Sequence, residues 1–125
     1  MEEIFKTMQD LMKEKLMGAG IDVPVALERF MGNEALLERF LKKFLKDASY
    51  EKLVAAIDAH QGEEALSAAH TLKGVSGNLA MTELFGLMTQ QVAAFRARDW
   101  DKAVNLMPEI TIKYETVSAA IQTLD

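Results

Sequence analysis

In the stretch SAAHTLKGVSGNLA, residues 67–80, His70 is followed three residues later by Lys73, and then by Gly74 and Gly77. Imidazole is the side chain whose charge changes near neutrality, and its neutral form is a good nucleophile. An ammonium one helical turn away suits an anion built on that ring, because a compact cation compensates a dianion well. The pair has the chemistry of a phosphoryl acceptor. Phosphoryl transfer is mostly positioning and charge compensation, yet the chain carries no Walker loop, no glycine-rich nucleotide loop behind a strand and no clear acidic Mg2+ cluster. The phosphate and the metal must then come with a partner.

Helical geometry decides whether these residues can act together. With about 100° per residue and His70 at zero, Lys73 lies at about −60°, Gly74 at about +40°, Gly77 at about −20° and Ser67 at about +60°. Leu66 and Met81, at about −40° and +20°, would be apolar contacts of a docking patch on the same face. Ala65, Ala68, Leu72, Val75 and Leu79 fall roughly between 140° and 220°, which makes that side the core stripe and points His70 at solvent. A glycine in a helix interior costs about 1 kcal/mol relative to alanine. Here the two glycines clear side chains from beside the imidazole and let another protein's backbone approach. The competing reading ends the helix at Gly74 with a loop through Asn78, since glycine and asparagine suit such ends.

The rest of the chain must position this face. Two prolines and seven glycines in 125 residues break the apolar periodicity at short intervals, which predicts an all-α protein of several helices. A first helix, Glu2 to Met17, carries Ile4, Phe5, Met8, Leu11 and Met12 on one stripe and stops at GAG, 18–20. Asp22 and Pro24 start a short helix to Phe30. Leu36, Leu37, Phe40, Leu41, Phe44 and Leu45 form the stripe of a helix from Glu34 to Asp47, with its charged residues as the solvated face. A further helix, Tyr50 to Ala59, is expected to be ended by Gly62, and another runs from Thr82 to Arg96. Asp99 reads as an N-cap and Pro108 forces a break at Met107; Tyr114, Val117, Ile121 and Leu124 then face the core from a terminal helix. Amphipathic helices with short links imply an antiparallel bundle, in one globular domain: an N-terminal helix over 1–19 and a bundle over 20–125.

Composition narrows the function classes. The formal charge of −5 argues against a nucleic-acid footprint. No cysteine means no disulfide framework and no thiolate metal site, in keeping with a cytoplasmic location. The charged N-terminal segment does not read as a secretory signal, and no run approaches the ~20 apolar residues of a membrane span. His60 reads as a solvated residue at a helix C-terminus, and Trp100 as core or staple. The two histidines lack the spacing of a zinc helix, so no metal or cofactor is expected in the chain itself.

The residues AHTLKGVSGNLA resemble the signature of the histidine-containing phosphotransfer (HPt) domain, loosely Ala-His-x-Leu-Lys-Gly-x-Ser/Ala-x-x-Leu-Gly. GIDVPVALERFMGNEALLERFLKKF and RDWDKAVNLMPEI are similar to the family's flanking segments, so the resemblance covers about residues 20–124. It implies an up-and-down four-helix bundle that carries a phosphoryl group between receiver domains of hybrid histidine kinases and response regulators, as a carrier without its own kinase or ATP site. Mg2+ would belong to the receiver. Position by position, the resemblance makes His70 the phosphorylated residue, on Nε2, Lys73 the phosphate-steadying cation and Gly74 the small residue that permits docking. Gly77 matches a position that is often small. Ala80 stands where the family commonly has glycine, which is expected to alter the turn after the helix. Relatives place a glutamine of the next helix against the imidazole; Gln90 and Gln91 are the nearest candidates, while the usual offset lands on Val92. The N-terminal helix is expected to cap the bundle and the protein to be a monomer, without membrane or nucleic-acid partners. The initial Met1 and the lack of an ATP-binding stretch favour a free-standing protein over the phosphoacceptor domain of a larger histidine kinase. The other alternative is a non-catalytic adaptor bundle that keeps the motif only as a docking face.

Overall fold

The computed structural model describes residues 2–124, with side chains from Asp10 onward. In chain order the helices are α1 (Glu2–Gly18), α2 (Val23–Arg29), α3 (Glu34–Phe44), α4 (Ser49–Asp58), α5 (Gly62–Asn78), α6 (Thr82–Arg96), α7 (Trp100–Asn105) and α8 (Met107–Gln122). The chain is all-α, as its periodicity predicts. Helix α5 packs between α4 and α6, α6 meets α7 and α8, and α8 closes the ring on α3. Helices α4, α5, α6 and α8 form the bundle, with α3 against α8. Leu41, Leu53, Leu72, Leu84, Met88, Ile110 and Ile121 meet in its centre with almost no exposure. Helix α1 lies against α2 and α8 and contributes Leu16 to the core; Ile4, Phe5 and Met8 of its expected stripe lie outside the described side chains.

Local chemistry sets the helix boundaries. The Asp22 carboxylate accepts from the Val25 amide at 3.2 Å, with Pro24 in the first turn, and Asn33 accepts from the Leu36 amide at 3.0 Å. Helix α3 stops at Phe44, short of the expected Asp47, because that carboxylate turns to cap the next helix: it accepts from the Ser49 amide at 2.9 Å and from the Ser49 hydroxyl. Asp99 accepts from the Lys102 amide at 3.2 Å, and the break before Pro108 falls at Leu106.

Four helices end on a left-handed residue that is not glycine: Met31 (φ 57°), His60 (φ 54°), Ala80 (φ 54°) and Arg98 (φ 59°). In each case the following amide reaches back five residues, from Gly32 to Leu27, Gln61 to Ala56, Met81 to Ser76 and Asp99 to Ala94, over 2.7 to 2.9 Å. The bond satisfies a terminal carbonyl and offsets a conformation that costs about 1–2 kcal/mol in an L-residue. Helix α4 is therefore ended by His60, and Gly62, expected to end it, is the first residue of α5. Ala80 likewise does not disturb the turn after α5, because it adopts the left-handed conformation itself.

That turn is pinned from outside. Asp22 donates its amide to the Ala80 carbonyl at 2.8 Å, and Thr82 donates to the Gly20 carbonyl at 3.1 Å, so the α1–α2 link is stitched to the α5–α6 turn by an isolated bridge between Ile21 and Met81. Met81 is fully buried there. The helical rotation that set it beside His70 ends at Asn78, so Met81 is not part of an exposed docking patch.

At the opposite seam Tyr114 stacks on Tyr50 at 4.1 Å and meets Phe44 at 5.5 Å, while the Tyr50 hydroxyl bonds Thr111 over 2.8 Å. Burial raises the Tyr114 phenol above its ordinary 10.0, and the Glu51 and Asp47 carboxylates push the same way. The folded state therefore resists ionisation that the unfolded chain allows. Stability from this group is complete below pH 10 and falls as pH rises past it. Urea midpoints measured at pH 8 and about pH 11 should drop less in Tyr114→Phe than in wild type, after allowance for its loss at pH 8.

Candidate functional site

Helix α5 is buried on two flanks. Ala65, Ala68, Ala69, Leu72 and Ser76 have little or no exposure, and the short side chains among them let α4 and α6 come close. The Ser76 hydroxyl, enclosed in this packing, donates to the Lys73 carbonyl at 3.0 Å. One arc is left bare: Ser67, His70, Thr71 and Gly74 are exposed, and Leu66, Lys73 and Gly77 are half-buried. The helix continues through both glycines to Asn78, which removes the reading that ends it at Gly74.

The two glycines have different surroundings. A Cβ on Gly74 would meet nothing within 4 Å. One on Gly77 would stand 3.1 Å from two ring carbons of Phe85, so this glycine is a socket for an aromatic ring of α6 and not cleared surface. Phe85, 37% exposed, supplies the apolar area at this end of the face that Met81 was expected to supply.

His70 lines a shallow depression of about 370 Å³ with Glu63, Leu66, Ser67, Thr71 and Arg96. Arg96 was not among the residues singled out in the sequence. The antiparallel pairing of α5 and α6 that sets Phe85 on Gly77 sets Arg96 opposite Leu66, one turn from the histidine. Among the described residues neither Lys73 nor Arg96 forms an ion pair. Two cations thus stand near the histidine without an ion-pair partner among the described residues, Lys73 on its own helix and Arg96 on the neighbour. A guanidinium adds planar, two-pronged hydrogen bonding that an ammonium lacks.

Gln91 does not accompany His70. It is fully buried on the other side of α6, where its Nε2 donates to the Ala103 carbonyl at 3.0 Å and contacts the Met107 sulfur at 3.1 Å. Its amide bridges α6 to the joint between α7 and α8, while its buried Oε1 has no hydrogen-bond partner among the described residues. Gln90 is exposed and lies outside the residues that line the depression, and Val92 is buried. His60 is not merely solvated: its ring stacks on Trp100 at 5.5 Å.

The glycines can be separated by stability. Gly74→Ala should raise the unfolding free energy by about 1 kcal/mol, the helix-propensity gain with nothing to clash. In Gly77→Ala the same gain is opposed by displacement of Phe85, so chemical denaturation should find no net stabilisation.

Among the described residues no group of three His, Asp or Glu is placed to hold a metal ion, and no helix is long and apolar enough to cross a membrane. A family model described as Hpt domain matches residues 35–120, well over half of the chain and inclusive of α5 and α6. No curated protein and no solved structure matches it. On the strength of the matched segment, together with an exposed histidine on the central hairpin of a helical bundle, the chain belongs to the Hpt domain family, the histidine phosphotransfer carriers of phosphorelays.

Proposed function

We propose that His70 accepts a phosphoryl group from the aspartyl phosphate of one receiver domain and passes it to another. The observation that supports this reading best is the exposed imidazole on the bare arc of α5, with Lys73 one turn on, Gly74 open beside it and Arg96 across the same depression. In the forward step the lone pair of an imidazole nitrogen attacks phosphorus. A P–N bond forms as the P–O bond to the aspartyl carboxylate breaks, the electron pair leaves with the carboxylate, and the proton of the other ring nitrogen passes to solvent. The return step reverses these changes on a second aspartate. The receiver brings Mg2+ and the carboxylates that hold it; this chain supplies the nucleophile and two cations that face the developing charge.

Docking in this proposal uses Leu66, Ser67 and Gly74, with Phe85 as the apolar contact near the end of the helix. The bare surface at Gly74 matters because the phosphorus must approach to near van der Waals distance of the ring nitrogen, and a long side chain there would hold the partner's backbone away. The chain is a carrier and needs no nucleotide site, and we place its exchange in the cytoplasm, where receiver domains of hybrid kinases and response regulators meet it as a monomer.

Incubation with a phosphorylated receiver domain, followed by intact-mass measurement in alkaline buffer, tests the assignment. Wild type should gain one phosphate that is lost in acid, and a folded His70→Gln should gain none; label that persists on His70→Gln would refute it. Lys73→Ala should label about tenfold to a hundredfold more slowly, the loss of one charge-assisted contact of about 1.5–3 kcal/mol. Gly74→Gln should fold and fail to exchange.

A further inference from the structure

The depression that holds His70 does not end at Arg96. Through Glu63, Leu66 and Arg96 it opens into a second one of about 600 Å³, whose far wall is Phe95, Arg98 and Trp100. Trp100 is held between two rings: His60 stacks on it at 5.5 Å with 21° between the planes, and Phe95 meets it tilted at 5.8 Å. It is half-buried, and a half-exposed aromatic fixed in place loses little freedom when a partner covers it.

The backbone at this corner is set against its own preference. His60 and Arg98 are both left-handed, at φ 54° and 59°, in positions that glycine or asparagine usually occupy. One carries the imidazole that clamps Trp100, and the other a guanidinium that lines the depression. Two cations line this wall against the single carboxylate of Glu63, in a chain of net charge −5. Among the described residues neither arginine forms an ion pair.

We propose that this corner is the second half of the partner footprint and takes the acidic rim of a receiver's phosphorylation site. The inference rests on the carrier reading above. An aspartate phosphorylated with the help of Mg2+ stands among further carboxylates that hold the ion. Those carboxylates together with the phosphoryl group carry more negative charge than the ion offsets, so the surface brought to His70 is negative around its centre. Lys73 and Gly74 meet it on the C-terminal side of the histidine, and Arg96 and Arg98 meet it on the N-terminal side, with Trp100 as the apolar anchor. Arg98 is a specificity residue for docking, kept where glycine would relax the backbone.

Phosphoramidate, a small donor that needs no docking, separates the chemistry at His70 from the corner. Wild type, Arg98→Glu, Arg98→Gly and Trp100→Ala are loaded with it, and transfer to isolated receiver domains of the same organism is followed for each. All four should load equally. Arg98→Glu should transfer about tenfold more slowly at low salt, with the deficit shrinking towards about 0.5 M salt. Trp100→Ala should be slow at every salt concentration. Arg98→Gly should melt a few degrees higher, because glycine accepts the left-handed conformation, and still transfer several-fold more slowly. Wild-type transfer rates in Arg98→Gly and Trp100→Ala would overturn the docking corner. A wild-type protein that phosphoramidate does not load at His70 would overturn the carrier reading and the corner with it.

Discussion

Everything about the site depends on the close packing of α5 between α4 and α6. Alanines at 65, 68 and 69 and the enclosed Ser76 allow that approach, and nearly complete burial of Leu72 fixes the rotation of the helix about its axis. A helix held on two flanks cannot roll, so the remaining arc is a fixed surface. His70 stands at the middle of that arc without being touched by the core, which lets a partner approach it along a defined direction. Truncation of Leu72 to alanine would forfeit about 2–5 kcal/mol of burial and cavity energy.

The same packing distributes charge. A lone lysine beside the histidine would compensate an anion from one side only. The antiparallel α5–α6 hairpin adds Arg96 from the last turn of the neighbour, so the two cations come from different helices and their spacing is set by the bundle. In a chain of net charge −5, Lys73 and Arg96 are a local departure from the average.

Stability is given up in identifiable places. Among the described residues four helices end on left-handed residues that are not glycine. The Gln91 amide nitrogen reaches the Ala103 carbonyl near the joint where Pro108 prevents α7 and α8 from being one helix. The bridge holds that joint to α6. At the other end of the bundle, Asp22 and Thr82 tie the α1–α2 link to the α5–α6 turn, which keeps the hairpin closed from outside.

The sequence by itself determined the periodic part of the protein: the all-α class, the Asp22 and Asp99 caps, the break at Pro108, and the exposure of His70 with Lys73 and Gly74 on one face. These follow from residues within a turn of one another, where backbone geometry alone fixes direction. What required the tertiary structure lay across helices or beyond a helix end. Gly77 looked like cleared surface until Phe85 was found against it; Gln91 was near the imidazole in number but faces the α7–α8 joint; Met81 left the helical register at Asn78 and turned into the core. Arg96 and Trp100 join the neighbourhood of His70 through the pairing of α5 with α6 and the corner that follows it. Such contacts depend on how far two helices slide and roll against each other, and that is decided by the packing of the whole core.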